Sequence, residues 1–207
     1  MRDVALPLPL LLLLLIAIAG VAVNGQELRW QNDYDTPLHF MCPTEGSISY
    51  IKSIHHNKHE DRLWDLSCKP TFDSYPRCSW SNYVNWFDEE FYYSCPGNSA
   101  MSGMYSYHDN KHEDRRWKFY CCDEPGVCSY DCYWTNFVNN FDEMFETSVP
   151  THYYLTGAGG YHDNGREDRR WKYRFCTRSA CTRQEGQEGQ EGQEGQEGQG
   201  EDSGPLA

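Results

Sequence analysis

Along the middle of the chain, apolar residues fall on every second position over short runs, and turns rich in Asn, Gly and Pro separate the runs. Leu38, Phe40 and Cys42 form one such set, and Phe91, Tyr93 and Cys95 form another. A period of two places alternate side chains on opposite faces of an extended segment. Segments 38–42, 91–95 and 145–149 are therefore predicted as strands. A turn carrying Pro43, Pro96 or Pro150 follows each of them. The next predicted strand ends at His55, His108 or His162, with Ile48, Ile51 and Ile54 answered by Met101, Met104 and Tyr107. A polar turn (HNKH, HDNKH or HDNGR) then leads into a strand that begins Glu-Asp-Arg-x-Trp. Short strands punctuated in this way predict an all-β fold.

The elements repeat. Trp64, Trp117 and Trp171 are spaced by 53 and 54 residues, and Trp80 and Trp134 by 54. Trp30 in RWQNDYD reads as the degenerate first copy of Trp80. Three internal repeats of about 53 residues predict pseudo-three-fold symmetry, in a β-trefoil-like or β-prism-like arrangement.

The repeat also constrains the ten cysteines. Cys42 and Cys68 are 26 apart, as are Cys95 and Cys121, and the third repeat has Val149 and Phe175 in their place. Both members disappear together, as bonded partners should. Cys78 and Cys122 are 44 apart, as are Cys132 and Cys176, and the first repeat has Leu28 and Lys69 there. Cys128 and Cys181 then pair by elimination. The predicted bridges are Cys42–Cys68, Cys95–Cys121, Cys78–Cys122, Cys132–Cys176 and Cys128–Cys181. An even cysteine count in a secreted chain reads as such a framework.

The Asp-Arg-x-Trp motif occurs as Asp61, Arg62 and Trp64, as Asp114, Arg115 and Trp117, and as Asp168, Arg169 and Trp171. Strand alternation puts Arg115, Trp117, Phe119 and Cys121 on one face, inward, and Arg116, Lys118 and Tyr120 on the other. The arginine stem can cover the Trp ring while its guanidinium meets a carboxylate near the rim. A motif needed once per repeat is expected to be scaffolding. The competing reading is a ligand site in which a sugar stacks on the Trp.

Composition sets the boundaries. Residues 1–25 carry Arg2 and then an apolar run ending in small residues, and are predicted as a signal peptide cleaved to leave Gln26. No transmembrane segment is expected once it is removed. Residues 184–207 are a QEG-repeat tail, predicted to be disordered and acidic. The whole chain carries −13; seven tail acids without a base leave −6 for the single domain 26–183. An acidic domain excludes nucleic acid as the expected partner.

DRRWKFYCC at 114–122, CSYDCYW at 128–134, EDRLW at 60–64 and EDRRWKYRFC at 167–176 resemble the dermatopontin family, the tyrosine-rich acidic matrix proteins. The resemblance implies a secreted protein of the extracellular matrix. Vertebrate members bind proteoglycan, collagen and fibronectin and support cell adhesion, and invertebrate relatives include a hemagglutinin and a cytotoxin. The expected partners are therefore matrix proteins, proteoglycans or cell-surface glycans. A lectin-like hemagglutinin or aggregation factor is the second reading, and a membrane-active cytotoxin the third. The resemblance also suggests sulfation, for which Tyr34 and Tyr92 sit beside acidic residues.

No catalytic motif stands out, and neither an enzyme activity nor a cofactor is expected. His55, His108 and His162, each followed two residues on by Asn57, Asn110 or Asn164, raise the question of a metal on the three-fold axis. His-x-x-x-His spacing occurs only in the first two copies and belongs to helical or closed zinc sites. The histidines are expected to stabilise turns, with no metal site.

Overall fold

A computed structural model describes residues 30–182. The expected signal peptide 1–25 and tail 184–207 lie outside the described residues, as does Leu28. Among the described residues there are eleven strands and no helix: β1 (Leu38–Met41), β2 (Gly46–His56), β3 (Asp61–Pro70), β4 (Arg77–Trp80), β5 (Phe91–Ser94), β6 (Ala100–Asp109), β7 (Asp114–Asp123), β8 (Val127–Trp134), β9 (Phe145–Ser148), β10 (Tyr153–Asp163) and β11 (Asp168–Ala180).

The strands form three separate antiparallel sheets, ordered β1-β6-β7-β4, β5-β10-β11-β8 and β3-β2-β9. Three sheets built on equivalent hairpins are consistent with the expected pseudo-three-fold repeat. Each sheet is built on the long hairpin of one repeat, and its outermost short strand comes from another repeat. β1 joins the second hairpin, β5 the third and β9 the first. The repeats are therefore interlocked, and none completes a sheet alone.

One irregularity recurs in every hairpin. Register slips between Ile48 and Tyr50, between Met101 and Gly103, and between Leu155 and Gly157. The residue left out of each ladder turns its carbonyl toward the neighbouring repeat. Ser102, Thr156 and Ser49 accept from the amides of Cys42, Cys95 and Val149 at 2.8, 2.8 and 2.9 Å. Bulges that redirect one backbone group are a standard way to turn a sheet corner. Gly103 and Gly157 follow directly, and a Cβ on either would lie 2.7 or 2.6 Å from the carbonyl oxygen of Phe40 or Tyr93. Glycine lets the incoming strand approach that closely.

The inward faces stack in three-fold layers: Leu38, Phe91 and Phe145; Ile48, Met101 and Leu155; Ile51, Met104 and Ala158; Leu66, Phe119 and Tyr173. Trp64, Trp117 and Trp171 meet at the centre, edge to face, with ring centroids 4.9–5.2 Å apart. That is the preferred geometry for aromatic pairs.

The structure corrects one alignment. The Gln31, Val84 and Val138 amides donate equivalently to the Trp64, Trp117 and Trp171 carbonyls. Trp30 therefore matches Tyr83 and Phe137, three places from the match to Trp80 drawn on residue identity. The true landmark is the asparagine that follows, at Asn32, Asn85 and Asn139.

Five disulfides are present: Cys42–Cys68, Cys78–Cys122, Cys95–Cys121, Cys128–Cys181 and Cys132–Cys176. They do different jobs. Cys42–Cys68 and Cys95–Cys121 join one sheet to the next, whereas the other three stay within a sheet. At the third seam Phe175 is buried and Val149 packs against the same core. Removing the Cys95–Cys121 bridge, which closes a 26-residue separation, is expected to cost about 2–4 kcal/mol through the entropy regained by the unfolded chain. Denaturant unfolding of Cys95→Ala/Cys121→Ala measures this directly, with the Val149/Phe175 seam as an internal example of the same joint made without sulfur.

Candidate functional site

The Asp-Arg-x-Trp motifs converge on the axis. Arg62 donates Nε and Nη2 to the two carboxylate oxygens of Asp168 at 2.6 and 2.7 Å. Arg115 donates the same bidentate pair to Asp61, both at 2.6 Å. Arg169 reaches Asp114 at 3.4 and 2.6 Å. Each arginine takes the acid of a different repeat, so the six residues close into a ring. All six are at most 5% exposed. Three cations meet three anions, so the ring buries no net charge, the condition under which a buried ion pair is tolerable.

The remaining valences are filled symmetrically. The amides of Asp35, Asp88 and Asp142 donate to Asp61, Asp114 and Asp168, each at 2.9 Å. The side chains of Asn32, Asn85 and Asn139 clamp the start of each motif strand. Each donates to the carbonyl of Arg62, Arg115 or Arg169 and accepts from the amide of Trp64, Trp117 or Trp171, at 2.8–3.0 Å. The indoles are 0–1% exposed, so no sugar can stack on them. The motif residues are positioned as scaffold.

His55, His108 and His162 sit at the seams between repeats, with side chains 1% exposed. Their Nδ1 atoms lie 3.7, 3.6 and 3.7 Å from Asp142, Asp35 and Asp88. Each seam thereby gathers one His and two Asp with ligand atoms within 4.8 Å of one another. The inner Asp of each trio is already occupied by the arginine and the loop amide, which argues against a metal ion at the seams themselves.

The outer face carries different chemistry. On the sheet built around β6 and β7, His39, Trp80, Tyr83, Tyr105 and Lys118 line an open cleft of about 230 Å³. Arg116 lies over Tyr83 and Trp86, at 4.5 and 3.8 Å from the ring centres, and the Lys118 ammonium is 4.4 Å from the Tyr83 centre. Trp86 is 63% exposed. The next sheet repeats the strip. Arg170 and Lys172 lie over Phe137 at 4.6 and 4.4 Å, and Tyr92 packs against Trp134 as His39 packs against Trp80. On the third sheet Leu63 and Asp65 replace the paired cations, and Tyr50 donates to Glu146 at 2.9 Å.

The two tyrosines singled out for sulfation differ in setting. Tyr34 is half-buried, stacked on His59 with centroids 4.6 Å apart. Tyr92 is half-exposed on the second strip; a hydrogen bond to Glu90, then burial, pushes its hydroxyl up to about 12.

The fold and these surfaces define a disulfide-stapled, all-β repeat protein with a closed structural axis and an aromatic, cationic exterior on two of its three sheets. Comparison with known proteins gives the class its name. The chain belongs to the dermatopontin family, whose model, described as Dermatopontin, matches residues 32–181. Among curated proteins, the hemagglutinin/amebocyte aggregation factor of Limulus polyphemus is 46% identical over 154 residues, covering 73% of this chain and 89% of that protein. Dermatopontin of Biomphalaria glabrata is 38% identical over 68% of this chain and 94% of its own length. Millepora cytotoxin-1 of Millepora dichotoma is 38% identical over 70% of this chain but only 65% of its own length. No solved structure matched. Family membership, with relatives of these names, supports a matrix or aggregation type of role.

Proposed function

We propose that the protein is a secreted, non-catalytic matrix and cell-adhesion protein that binds acidic glycan chains, on proteoglycans or on cell surfaces, through its two outer strips. The observation that carries this reading is the duplication of the strip: Arg116, Lys118 and Tyr83 on one sheet, Arg170, Lys172 and Phe137 on the next. The paired cations, each held over the same aromatic ring, suit carboxylate or sulfate groups. The five disulfides fit an oxidising, extracellular setting. Two equivalent sites on one chain also suit the second reading, a lectin-like hemagglutinin or aggregation factor, because bridging two surfaces needs two sites. A membrane-damaging role stands third. No helix among the described residues is long and apolar enough to cross a membrane, and dye release from protein-free liposomes would be the signature of such a role.

Retention on immobilised heparin, a sulfated glycan, tests the reading. The parent protein is expected to be retained in a salt-sensitive way, as screening weakens exposed charge contacts. Lys118→Glu/Lys172→Glu is expected to lose about tenfold or more in affinity with its stability unchanged, since both side chains are surface cations. Undiminished retention of that variant would refute the assignment to the strips.

A further inference from the structure

Among the described residues, the arginines without an acidic partner all stand on the two strips. Arg62, Arg77, Arg115, Arg166, Arg169 and Arg178 each pair with an aspartate or glutamate. Arg116, Arg170 and Arg174 bond neutral groups instead. Nε of Arg116 and Nε of Arg170 donate to the carbonyl oxygens of Asn85 and Asn139 at 2.9 Å, and Arg174 donates to the Thr156 hydroxyl at 3.3 Å. Arg170, Lys172 and Arg174 alternate along β11 and so share its outer face. They form a line of positive charge that no acid among the described residues neutralises.

The sequence that continues β11 carries the opposite charge. Cys181 is bonded to Cys128, and its amide donates to the Gly126 carbonyl at 2.8 Å, so the chain leaves the domain from a fixed point at the end of this strand. The 24 residues from Gln184 to Ala207 hold seven acids and no base. Five of the acids, Glu185, Glu188, Glu191, Glu194 and Glu197, fall on every third position. Between Lys172 and Ala180 the strand covers about 26 Å at about 3.3 Å per residue. A Gly-rich chain of 24 residues spans about 27 Å on average, enough to reach back over the cations of its own strand. Tethering presents the acids to those cations at an effective concentration on the order of millimolar. The domain as a whole carries −6 and repels the tail, so the attraction is local to the exposed cations.

We propose that residues 184–207 dock on Arg170, Lys172 and Arg174 of their own chain and compete there with acidic glycans. The competition rests on the glycan reading of the strips; the docking does not. In an extended chain with three residues per turn the five glutamates fall on one side, and the glycines between them let the backbone lie close to β11. The first strip, on the neighbouring sheet, stays open. The second strip then favours ligands with denser charge than one carboxylate in three residues. Heparin, densely sulfated, displaces the tail, so the protein still uses both strips on heparin.

Carbodiimide crosslinking of the full chain tests the docking without any glycan. The reagent joins a carboxylate to an adjacent ammonium, and peptide mass spectrometry locates the bond. A monomer with a tail glutamate joined to Lys172 is expected, and it should disappear in heparin or in about 0.5 M salt. Crosslinks confined to dimers, or spread over Lys52, Lys58, Lys111 and Lys118 as often as Lys172, overturn the docking. The competition is read from heparin affinity. Tyr83→Ala/Lys118→Glu leaves the second strip intact, and Phe137→Ala/Lys172→Glu leaves the first. Adding Glu185→Gln, Glu188→Gln, Glu191→Gln, Glu194→Gln and Glu197→Gln together should raise the affinity of the former about threefold, the gain for a strip covered about two-thirds of the time. The latter should change little. Equal gains in both would mean that the tail merely repels polyanions, and overturn the competition. Absence of heparin binding in the parent and every variant defeats the glycan reading and with it the competition, while the crosslink still decides the docking.

Discussion

Asp114→Ala is expected to destabilise the protein by about 3–5 kcal/mol, because it leaves the Arg169 guanidinium buried and uncompensated. Arg169 is 3% exposed, and its closest acid contact is Asp114 at 2.6 Å. For a domain of this size the loss corresponds to a fall in Tm of about 6–20 °C, measurable by calorimetry with all five disulfides intact. The informative control is Asp114→Leu/Arg169→Leu. Replacing a whole buried pair with apolar side chains is often nearly neutral, so the double variant should recover much of the loss. Recovery should stop short of complete, since Asp114 also accepts the Asp88 amide. A single variant no worse than the double would mean that the ring does not carry buried charge as described.

Trp117→Ala is expected to cost a similar amount, about 3–5 kcal/mol, by leaving a cavity at the crossing of all three repeats. Trp117 is 1% exposed and touches both Trp64 and Trp171 edge to face. The equivalent changes at Trp64 and Trp171 should also be costly, because all three indoles are 0–1% exposed and meet at one point, although their layer neighbours differ. Trp86→Ala, on the outer strip, should cost less than about 0.5 kcal/mol, as surface changes usually do. Urea unfolding of the four variants ranks them. A peripheral Trp86 as costly as an axial indole would contradict the division between scaffold and surface.

That division was largely legible in the chain. Period-two alternation placed Trp117 and Phe119 inward and Lys118 outward, and triplication made each assignment three times over. The partner of each ring arginine was not legible. Arg115 is adjacent to Asp114 in sequence, yet it bonds Asp61, 54 residues away. Strand alternation describes a single hairpin and says nothing about which repeat lies across the axis. The asparagine clamp was visible but unread. Asn32, Asn85 and Asn139 each precede an aspartate by three residues, a pattern masked by the more conspicuous tryptophans, and aligning Trp30 with Trp80 displaced it. The outer strips escaped for a related reason. Lys118 was placed outward, but Tyr83 comes from a loop and His39 from the strand donated by the first repeat, so the cleft exists only after the strands exchange.

The central proposal is that the protein binds acidic glycan chains through the same strip presented twice, which would let one chain hold two glycan surfaces together. The most direct measurement is aggregation of heparin-coated beads, followed by light scattering, for the parent and for two single-strip variants, Tyr83→Ala/Lys118→Glu and Phe137→Ala/Lys172→Glu. Each variant should still be retained on one bead surface through its remaining strip, yet neither should draw beads together as the parent does. Aggregation by either single-strip variant at the parent's level would contradict the account.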